Sequence, residues 1–224
     1  MATIVFDLDG TLVETGPDLL AATNNVLVEE GLKPIKLTHL GHLVGQGGRA
    51  MLERAFAFRD RPADDDALDG YVKHFLDAYR SSIPGQSAPF PGAINALDRL
   101  VEHGHTLAIC TNKTEEFAIL LLDKLGLSPR FAAICGPDTF DVRKPDPQHL
   151  WRTIERAGGA PDASIMIGDS ISDIEAARRA NVPSVGVTFG YSDKPIEELS
   201  PDAVIDHYEQ LDEVMVTKLI ARSA

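Results

Sequence analysis

The chain is built around the stretch Ile4-Val5-Phe6-Asp7-Leu8-Asp9-Gly10-Thr11. Its apolar run is too short for a helix and ends near a glycine, so it predicts a buried strand that ends in two carboxylates. Because side chains alternate along a strand, Asp7 and Asp9 point the same way. Two carboxylates this close repel each other and need a cation, a shared proton or both. Alone, the pair could equally open an ordinary loop with Gly10 as its turn residue.

Three later segments place polar side chains after short apolar runs, the second less cleanly than the others. They are Ile109-Cys110-Thr111-Asn112-Lys113, Arg143-Lys144-Pro145-Asp146 and Ile165-Met166-Ile167-Gly168-Asp169-Ser170-Ile171-Ser172-Asp173. With the first stretch they supply a candidate nucleophile, hydroxyl and amide donors, a cation and further carboxylates. Phosphoryl transfer depends mainly on such positioning and charge neutralisation.

Composition narrows the class of protein. Among 224 residues, 21 are basic and 34 acidic, which gives a net charge of −13. This balance argues against nucleic acid or an anionic membrane as the partner, since both require a basic face. There is no apolar run of membrane-spanning length and no signal-peptide pattern at the N-terminus, so we expect a cytoplasmic protein. Cys110 and Cys135 lie in apolar runs, which favours buried, reduced thiols.

The order of elements predicts an α/β fold. From residue 90 onward, helical patterns alternate with strands at 106–110, 132–135, 164–167, 184–187 and 203–205, which indicates a parallel sheet with helices on both faces. Residues 15–89 instead show only helical patterns, and linkers flank them. Ser172 and Glu175 have the spacing of a capping box, which predicts a helix that begins at Ser172. Ligands in such sheets bind beyond the carboxyl ends of the strands.

The four segments resemble the four motifs of the haloacid dehalogenase superfamily, in the order and rough spacing of its phosphatases. Within it the chain is most similar to the bacterial phosphoglycolate phosphatases. That closer match is carried by Gly16-Pro17-Asp18-Leu19, Val44-Gly45-Gln46-Gly47, Lys144-Pro145-Asp146-Pro147 and Gly168-Asp169-Ser170-Ile171-Ser172-Asp173-Ile174-Glu175-Ala176-Ala177. The resemblance implies a discontinuous Rossmann-like core, residues 1–14 and 90–224, and an inserted helical cap, residues 15–89.

The resemblance also implies roles for the paired aspartates. Asp7 is expected to be the nucleophile that forms an aspartyl phosphate, with metal ligation alone as the alternative. Asp9 is expected to be the general acid and then the base, and in the family its backbone carbonyl also binds the metal. Asp169 is expected to be a second carboxylate on Mg²⁺. Asp173 is expected to act on the metal through water, with capping of a helix as the alternative.

Phosphate contacts are expected from the middle motifs. Thr111 and Asn112 are predicted as hydrogen-bond donors, and Lys144 as the cation that also offsets the acidic cluster. Lys113 competes for that role, but the helix that Thr114 can start would leave Lys113 exposed.

One part of the cap has features of a substrate-binding loop. Gly47 and Gly48 followed by Arg49 could reach a carboxylate on the substrate, although the glycines could equally serve only to separate two helices. The seven histidines form no convincing metal site, and Trp151 and Tyr191 are interpreted as packing residues.

The function predicted from the sequence is a Mg²⁺-dependent phosphomonoesterase acting on a small phosphorylated metabolite, with 2-phosphoglycolate as the first candidate and a monomer or homodimer as the assembly. The same site could act on pyrophosphate, a sugar phosphate or a nucleotide, or transfer phosphate as a phosphoglucomutase does. A different class, a phosphoacceptor signalling domain or a binding protein, would show no turnover.

Overall fold

The computed structural model describes residues 1–192 and 194–221. Within these residues the strands are β1 (Thr3–Phe6), β2 (Val13–Glu14), β3 (Ala88–Pro89), β4 (Thr106–Cys110), β5 (Ala133–Cys135), β6 (Ser164–Gly168), β7 (Ser184–Val187) and β8 (Ala203–Ile205). The helices are α1 (Gly16–Glu29), α2 (Gly48–Ala57), α3 (Asp65–Ser82), α4 (Ala93–Glu102), α5 (Glu115–Lys124), α6 (Pro137–Phe140), α7 (Pro147–Arg156), α8 (Ile171–Ala180) and α9 (Glu213–Ile220).

Six strands form one parallel sheet in the order β5-β4-β1-β6-β7-β8. The chain leaves the central β1 toward β4 and β5 on one side, and later toward β6, β7 and β8 on the other. The carboxyl ends of β1, β4 and β6 therefore border the point where the strand order reverses, which is where ligands bind in sheets of this type. The predicted α/β class is confirmed.

Alternating residues of β1 bury their side chains on opposite faces of the sheet. Ile4 and Phe6 pack in the larger hydrophobic cluster with helices α4, α5 and α9, whereas Val5 packs with α7 and α8 in the smaller one. Both faces are thus covered by helices, as predicted. The larger cluster continues into the helices between β2 and β3.

Residues between β2 and β3 contain the helices α1, α2 and α3 and a 3₁₀ segment, Leu37–His42. The segment begins and ends at a two-stranded antiparallel ribbon, in which Val13 pairs with Pro89 and Glu14 with Ala88. This ribbon was not predicted, because two-residue strands leave no periodic pattern. The division into core and cap remains a prediction.

Helix α8 begins one residue earlier than predicted. Its N-cap is Ser170, and Asp173 completes the capping box instead of Glu175. The carboxylate of Glu175 pairs with Arg178 and Arg179 on the exposed side of the helix, so it is not available for the cap.

Cys110 and Cys135 are buried free thiols, as predicted. None of the helices in the described residues is long and apolar enough to span a bilayer.

Candidate active site

Three carboxylates meet at the carboxyl ends of β1 and β6. Asp7 follows β1, Asp169 follows β6, and Asp173 lies in the first turn of α8. One oxygen of each lies within 4.8 Å of an oxygen of the other two, and all three residues are buried. The structure thus brings together three of the predicted site residues.

The ammonium of Lys144 lies against this cluster. Its Nζ is 2.8 Å from Oδ1 of Asp7 and 2.6 Å from Oδ1 of Asp173. Burial alone would lower the pKa of Lys144, but the two carboxylates hold it above its usual value, so the side chain stays charged. Burial raises the pKa of Asp7 against the opposing effect of Lys144, and burial with the neighbouring carboxylates raises that of Asp169.

The charge of the cluster suits a divalent cation. When all groups are ionised, three carboxylates and one ammonium leave two negative charges uncompensated. The ligand atoms are all oxygens, the type that Mg²⁺ prefers. Asp169 is oriented from both sides, because Oδ1 accepts from the Thr11 hydroxyl at 3.0 Å and Oδ2 accepts from the Tyr191 amide at 2.7 Å. These residues therefore fit a Mg²⁺ site.

Asp173 caps α8, one of the two alternatives that the sequence left open, and it also contacts Lys144. Its Oδ2 accepts from the backbone amide of Ser170 at 3.0 Å and from the Ser170 hydroxyl at 2.7 Å, which caps α8. Its Oδ1 accepts from Lys144 at 2.6 Å. Capping therefore holds the carboxylate in the cluster.

Asp9 lies beside a different cation, Lys113. The Lys113 Nζ is 3.0 Å from Oδ1 of Asp9 and 4.6 Å from the centre of the Tyr79 ring. The prediction that Lys113 would be exposed is wrong, because only 6% of its side chain is exposed. Its long stem lets the ammonium turn back beneath α3. Burial alone would lower the pKa of Lys113, but Asp9 and Tyr79 hold it above its usual value.

Thr111 and Asn112 both lie after β4 but differ in what they contact. The Thr111 hydroxyl accepts from the Lys113 amide at 3.1 Å. The Asn112 side chain accepts from the Lys144 amide at 3.0 Å and donates to the carbonyls of Lys144 and Gly45 at 3.1 and 3.2 Å. Asn112 thus fixes the backbone of the loop that carries Lys144, and its side-chain amide already has acceptors.

A cavity of about 440 Å³ opens above these residues and extends to the helices between β2 and β3. Its floor includes Asp7, Asp9 and Asp169. Its opposite wall is largely apolar and is formed by Leu19, Met51, Phe75, Leu76, Tyr79 and Phe117. A phosphate ester that reaches Asp7 would place its leaving group between floor and wall.

The glycine loop lines this cavity, but Arg49 does not. Gly47 and Gly48 are among the lining residues, as expected for a substrate loop. The guanidinium of Arg49 points to Asp69 and Glu53 and is half exposed. The cation of α2 that lines the cavity is Arg54, which also donates to the Val44 carbonyl at 2.9 Å. The expectation for Arg49 finds no support in this arrangement.

Tyr191 is more than the packing residue that the sequence suggested. Besides donating its amide to Asp169, it accepts at its hydroxyl from the amides of Thr15 and Gly16, at 2.7 and 2.6 Å, and contacts Glu14. No local pattern predicts these contacts, because they join residues 175–177 positions apart.

Comparison with sequence models of protein families shows that residues 4–187 of this chain match the haloacid dehalogenase-like hydrolase family. A phosphoglycolate phosphatase of Agrobacterium fabrum is 51% identical over 220 residues, which cover 98% of this chain and 94% of that protein. One of Mesorhizobium japonicum is 47% identical over 217 residues, covering 97% of this chain and 96% of the relative.

Solved structures agree on the fold. A structure described as a predicted phosphoglycolate phosphatase from Haemophilus somnus superposes with a TM-score of 0.89 at 27% identity, covering 97% of this chain and 98% of that one. The β-phosphoglucomutase of Clostridium difficile superposes with a TM-score of 0.80 at 20% identity, covering 99% and 98% of the two chains. At that identity the second likeness concerns the fold alone.

Proposed function

This chain belongs to the haloacid dehalogenase-like hydrolases and is a phosphatase, and from that premise we propose that it hydrolyses 2-phosphoglycolate to glycolate and phosphate. The reaction uses Mg²⁺ and proceeds through a phosphoryl group carried by Asp7. The observation that carries the proposal is the contact of Asp7 with Lys144 beside Asp169 and Asp173, at the floor of a cavity.

In the first step an oxygen of Asp7 attacks phosphorus, the bond from phosphorus to the ester oxygen breaks, and Asp9 gives a proton to the departing glycolate oxygen. In the second step water attacks the phosphorus of the aspartyl phosphate, Asp9 takes the proton from that water, and the bond to Asp7 breaks. Asp7 and Asp9 are each regenerated, so atoms and protons balance. Splitting the reaction in this way replaces one difficult step with two easier ones.

Lys144 and Thr111 assist these steps by charge and by hydrogen bonding. The ammonium of Lys144 lowers the pKa of Asp7 against the effect of burial and so favours the ionised form that a nucleophile needs, and it reaches the oxygens of the incoming phosphate. The Thr111 hydroxyl donates to the phosphate. The side chain of Asn112 contributes by holding the Lys144 loop, and Asn112 also lines the cavity.

Asp7 and Asp169 would hold Mg²⁺ directly, the backbone carbonyl of Asp9 would complete the protein ligands, and Asp173 would act through water. When bound, the ion neutralises charge on the phosphate oxygens. The two uncompensated negative charges of the cluster support this assignment.

The choice of substrate is supported by relatives that carry the name phosphoglycolate phosphatase and share up to 51% of their residues over almost the whole chain. The ammonium of Lys113, which lines the cavity beside Asp9, is a positive charge that suits a leaving group that is itself an anion.

The test is phosphate release from 2-phosphoglycolate, pyrophosphate, glucose 1-phosphate and a nucleoside monophosphate, each with Mg²⁺ and with a chelator. Asp7→Asn is the control, because it keeps the volume of the side chain and removes the nucleophile. Asp9→Asn should slow phosphate release strongly, because both steps move a proton through Asp9, and a hydroxylamine-labile phosphoenzyme in the wild type would identify the intermediate on Asp7.

Fast, Mg²⁺-dependent release that prefers 2-phosphoglycolate and is lost in Asp7→Asn is the expected result. Preference for another ester would overturn the substrate but keep the chemistry. Undiminished release in Asp7→Asn would overturn the nucleophile. No release from any ester by folded protein would indicate a phosphoacceptor or binding protein.

A further inference from the structure

The cavity contains a buried ammonium that the proposed reaction does not use. Lys113 is 9% exposed, and its Nζ contacts a single carboxylate oxygen, Oδ1 of Asp9, at 3.0 Å. An ammonium has three N–H donors. The Asp9 oxygen and the Tyr79 hydroxyl account for two of them, and Lys113 lines the cavity.

A second polar group faces the same space. Tyr79 of α3 is 1% exposed, and its hydroxyl oxygen accepts a hydrogen bond from Lys113, while the hydroxyl proton has no acceptor among the residues that the structure describes. Its ring lies 4.6 Å from the Lys113 Nζ and lines the cavity. A buried hydroxyl proton without an acceptor is uncommon in folded proteins and calls for a specific explanation.

The surroundings of these two groups are apolar. The Tyr79 ring packs between Phe75, with ring centres 6.1 Å apart, and Phe117, with ring centres 5.8 Å apart. Both phenylalanines also line the cavity. Ion pairs and hydrogen bonds are stronger in apolar surroundings than in water. A buried donor that lacks an acceptor there costs correspondingly more free energy.

The position of Asp9 sets what lies next to Lys113. If Asp9 protonates the ester oxygen of 2-phosphoglycolate, that oxygen lies within hydrogen-bond reach of the Asp9 carboxyl group. A single carbon separates this oxygen from the substrate carboxylate, so the carboxylate lies within a few ångströms of Asp9. Lys113 is the cation in contact with Asp9 on that floor.

We propose that Lys113 and Tyr79 determine specificity by binding the carboxylate of the leaving group, with the ammonium pairing to one carboxylate oxygen and the hydroxyl donating to the same group. The inference rests on the function proposed above and names the residues that select phosphorylated 2-hydroxy acids. A carboxylate supplies acceptors for the remaining N–H of the Lys113 ammonium and for the proton of the Tyr79 hydroxyl. An ester without a carboxylate leaves both donors unsatisfied, and sites of this kind reject such analogues strongly.

A purely structural role would be to neutralise Asp9. That role explains the contacts of Lys113 with Asp9 and Tyr79, but it leaves the proton of the Tyr79 hydroxyl without an acceptor. It also predicts that loss of Lys113 affects every ester equally, because all esters depend on Asp9.

The experiment compares 2-phosphoglycolate with ethyl phosphate, which has a methyl group in place of the carboxylate. Lys113→Met removes the charge at similar volume, and Tyr79→Phe removes only the hydroxyl, so the second variant preserves the packing if the first folds poorly. Lys73→Met is the matched control, because Lys73 is an exposed lysine of α3 that pairs with Asp77. Circular dichroism and thermal melting verify folding.

We expect Lys113→Met to lower kcat/KM for 2-phosphoglycolate about 100-fold more than for ethyl phosphate, as loss of one partner of a buried charge pair does. Tyr79→Phe should lower the same ratio about 10-fold, and Lys73→Met should leave it unchanged. A second measurement avoids the chemical step: inhibition by 3-phosphonopropionate should weaken in Lys113→Met, while inhibition by propylphosphonate should not.

Equal losses for both esters in Lys113→Met, with unchanged inhibition by 3-phosphonopropionate, would overturn the inference and assign Lys113 to Asp9 alone. That result would leave the proposed function standing, because the wild type would still prefer 2-phosphoglycolate. If the wild type itself showed no preference over ethyl phosphate, the proposed substrate would fail, and the inference would be overturned with it.

Discussion

The backbone amide of Tyr191 donates a 2.7 Å hydrogen bond to Oδ2 of Asp169. The hydroxyl of the same residue accepts from the amides of Thr15 and Gly16, where the chain passes from β2 into α1. One residue thus joins the carboxylate cluster to the start of the helical segment. The hydrogen bond to Asp169 comes from the backbone amide of Tyr191, whereas the contacts with Thr15 and Gly16 come from its side chain. A substitution of the side chain therefore tests the second set of contacts alone.

Tyr191→Phe should destabilise the protein by about 1–3 kcal/mol, because it leaves the partly buried amide of Thr15 without its acceptor and Glu14 without its contact. Affinity for Mg²⁺ should stay within a few-fold of wild type, since the amide that orients Asp169 remains. Urea unfolding and a Mg²⁺ titration measure the two quantities. Tyr71→Phe, on the partly exposed surface of α3, is the control; equal effects of both substitutions would contradict the prediction.

Gly10→Ala should cost more than an ordinary substitution at a glycine with positive φ. A Cβ at Gly10 would lie 2.6 Å from Oδ2 of Asp169 and 2.7 Å from the Tyr191 ring, at φ +84°. Gly31 has φ +73° and nothing within 4 Å of such a Cβ, so Gly31→Ala carries the backbone cost alone. We expect about 1 kcal/mol for Gly31→Ala and about 3 kcal/mol for Gly10→Ala in urea unfolding. Weakened Mg²⁺ binding should accompany only Gly10→Ala, and equal costs at both positions would refute this account.

Sequence reasoning succeeds where chemistry follows directly from a strand. Asp7, Thr111 and Asp169 each follow a short apolar run, and a parallel sheet necessarily gathers the carboxyl ends of its strands. The pattern therefore predicts their proximity without any knowledge of distances.

The same reasoning fails where a side chain turns back or spans the fold. Lys113 lies just after β4, but its burial could not be predicted. It depends on the direction that the four-carbon side chain takes beneath α3. Arg49 and Arg54 belong to one helix, and only the rotation of that helix against the cavity distinguishes them. Tyr191 reaches residues far away in the chain, which no local pattern encodes.

Asp18 should be a major contributor to the stability of the connection between α1 and the return segment before β3. Its buried carboxylate accepts from the amide of Gln86 at 3.0 Å, from the amide of Ser87 at 2.8 Å and from the Ser87 hydroxyl at 2.6 Å. Asp18→Ala leaves three donors unpaired and should cost about 2–4 kcal/mol.

The matched control for Asp18 is Asp64→Ala, which removes an exposed N-cap on α3 whose side chain accepts from the Asp66 amide at 3.3 Å. That change should cost about 1 kcal/mol. Hydrogen exchange at the amides of Gln86 and Ser87 should accelerate only in Asp18→Ala. Unaltered exchange there would show that the carboxylate does not hold the return segment.

His149 should make the protein sensitive to acid. It is fully buried in α7, and burial, with Lys144, lowers its pKa to about 4 against the opposing effect of hydrogen bonds to the backbone of Cys135 and Gly136. The unfolded chain binds a proton at this histidine near pH 6.5, whereas the folded chain does so only near pH 4, so stability is complete above the first value and lost as pH falls toward the second. The free energy of unfolding of the wild-type protein should therefore fall by up to about 1.4 kcal/mol per pH unit more than that of His149→Leu across this window.

Urea unfolding at half-unit pH steps measures the difference, with His103→Leu, at an exposed histidine, as the control. Parallel curves for wild type and His149→Leu would show that His149 is not the group responsible.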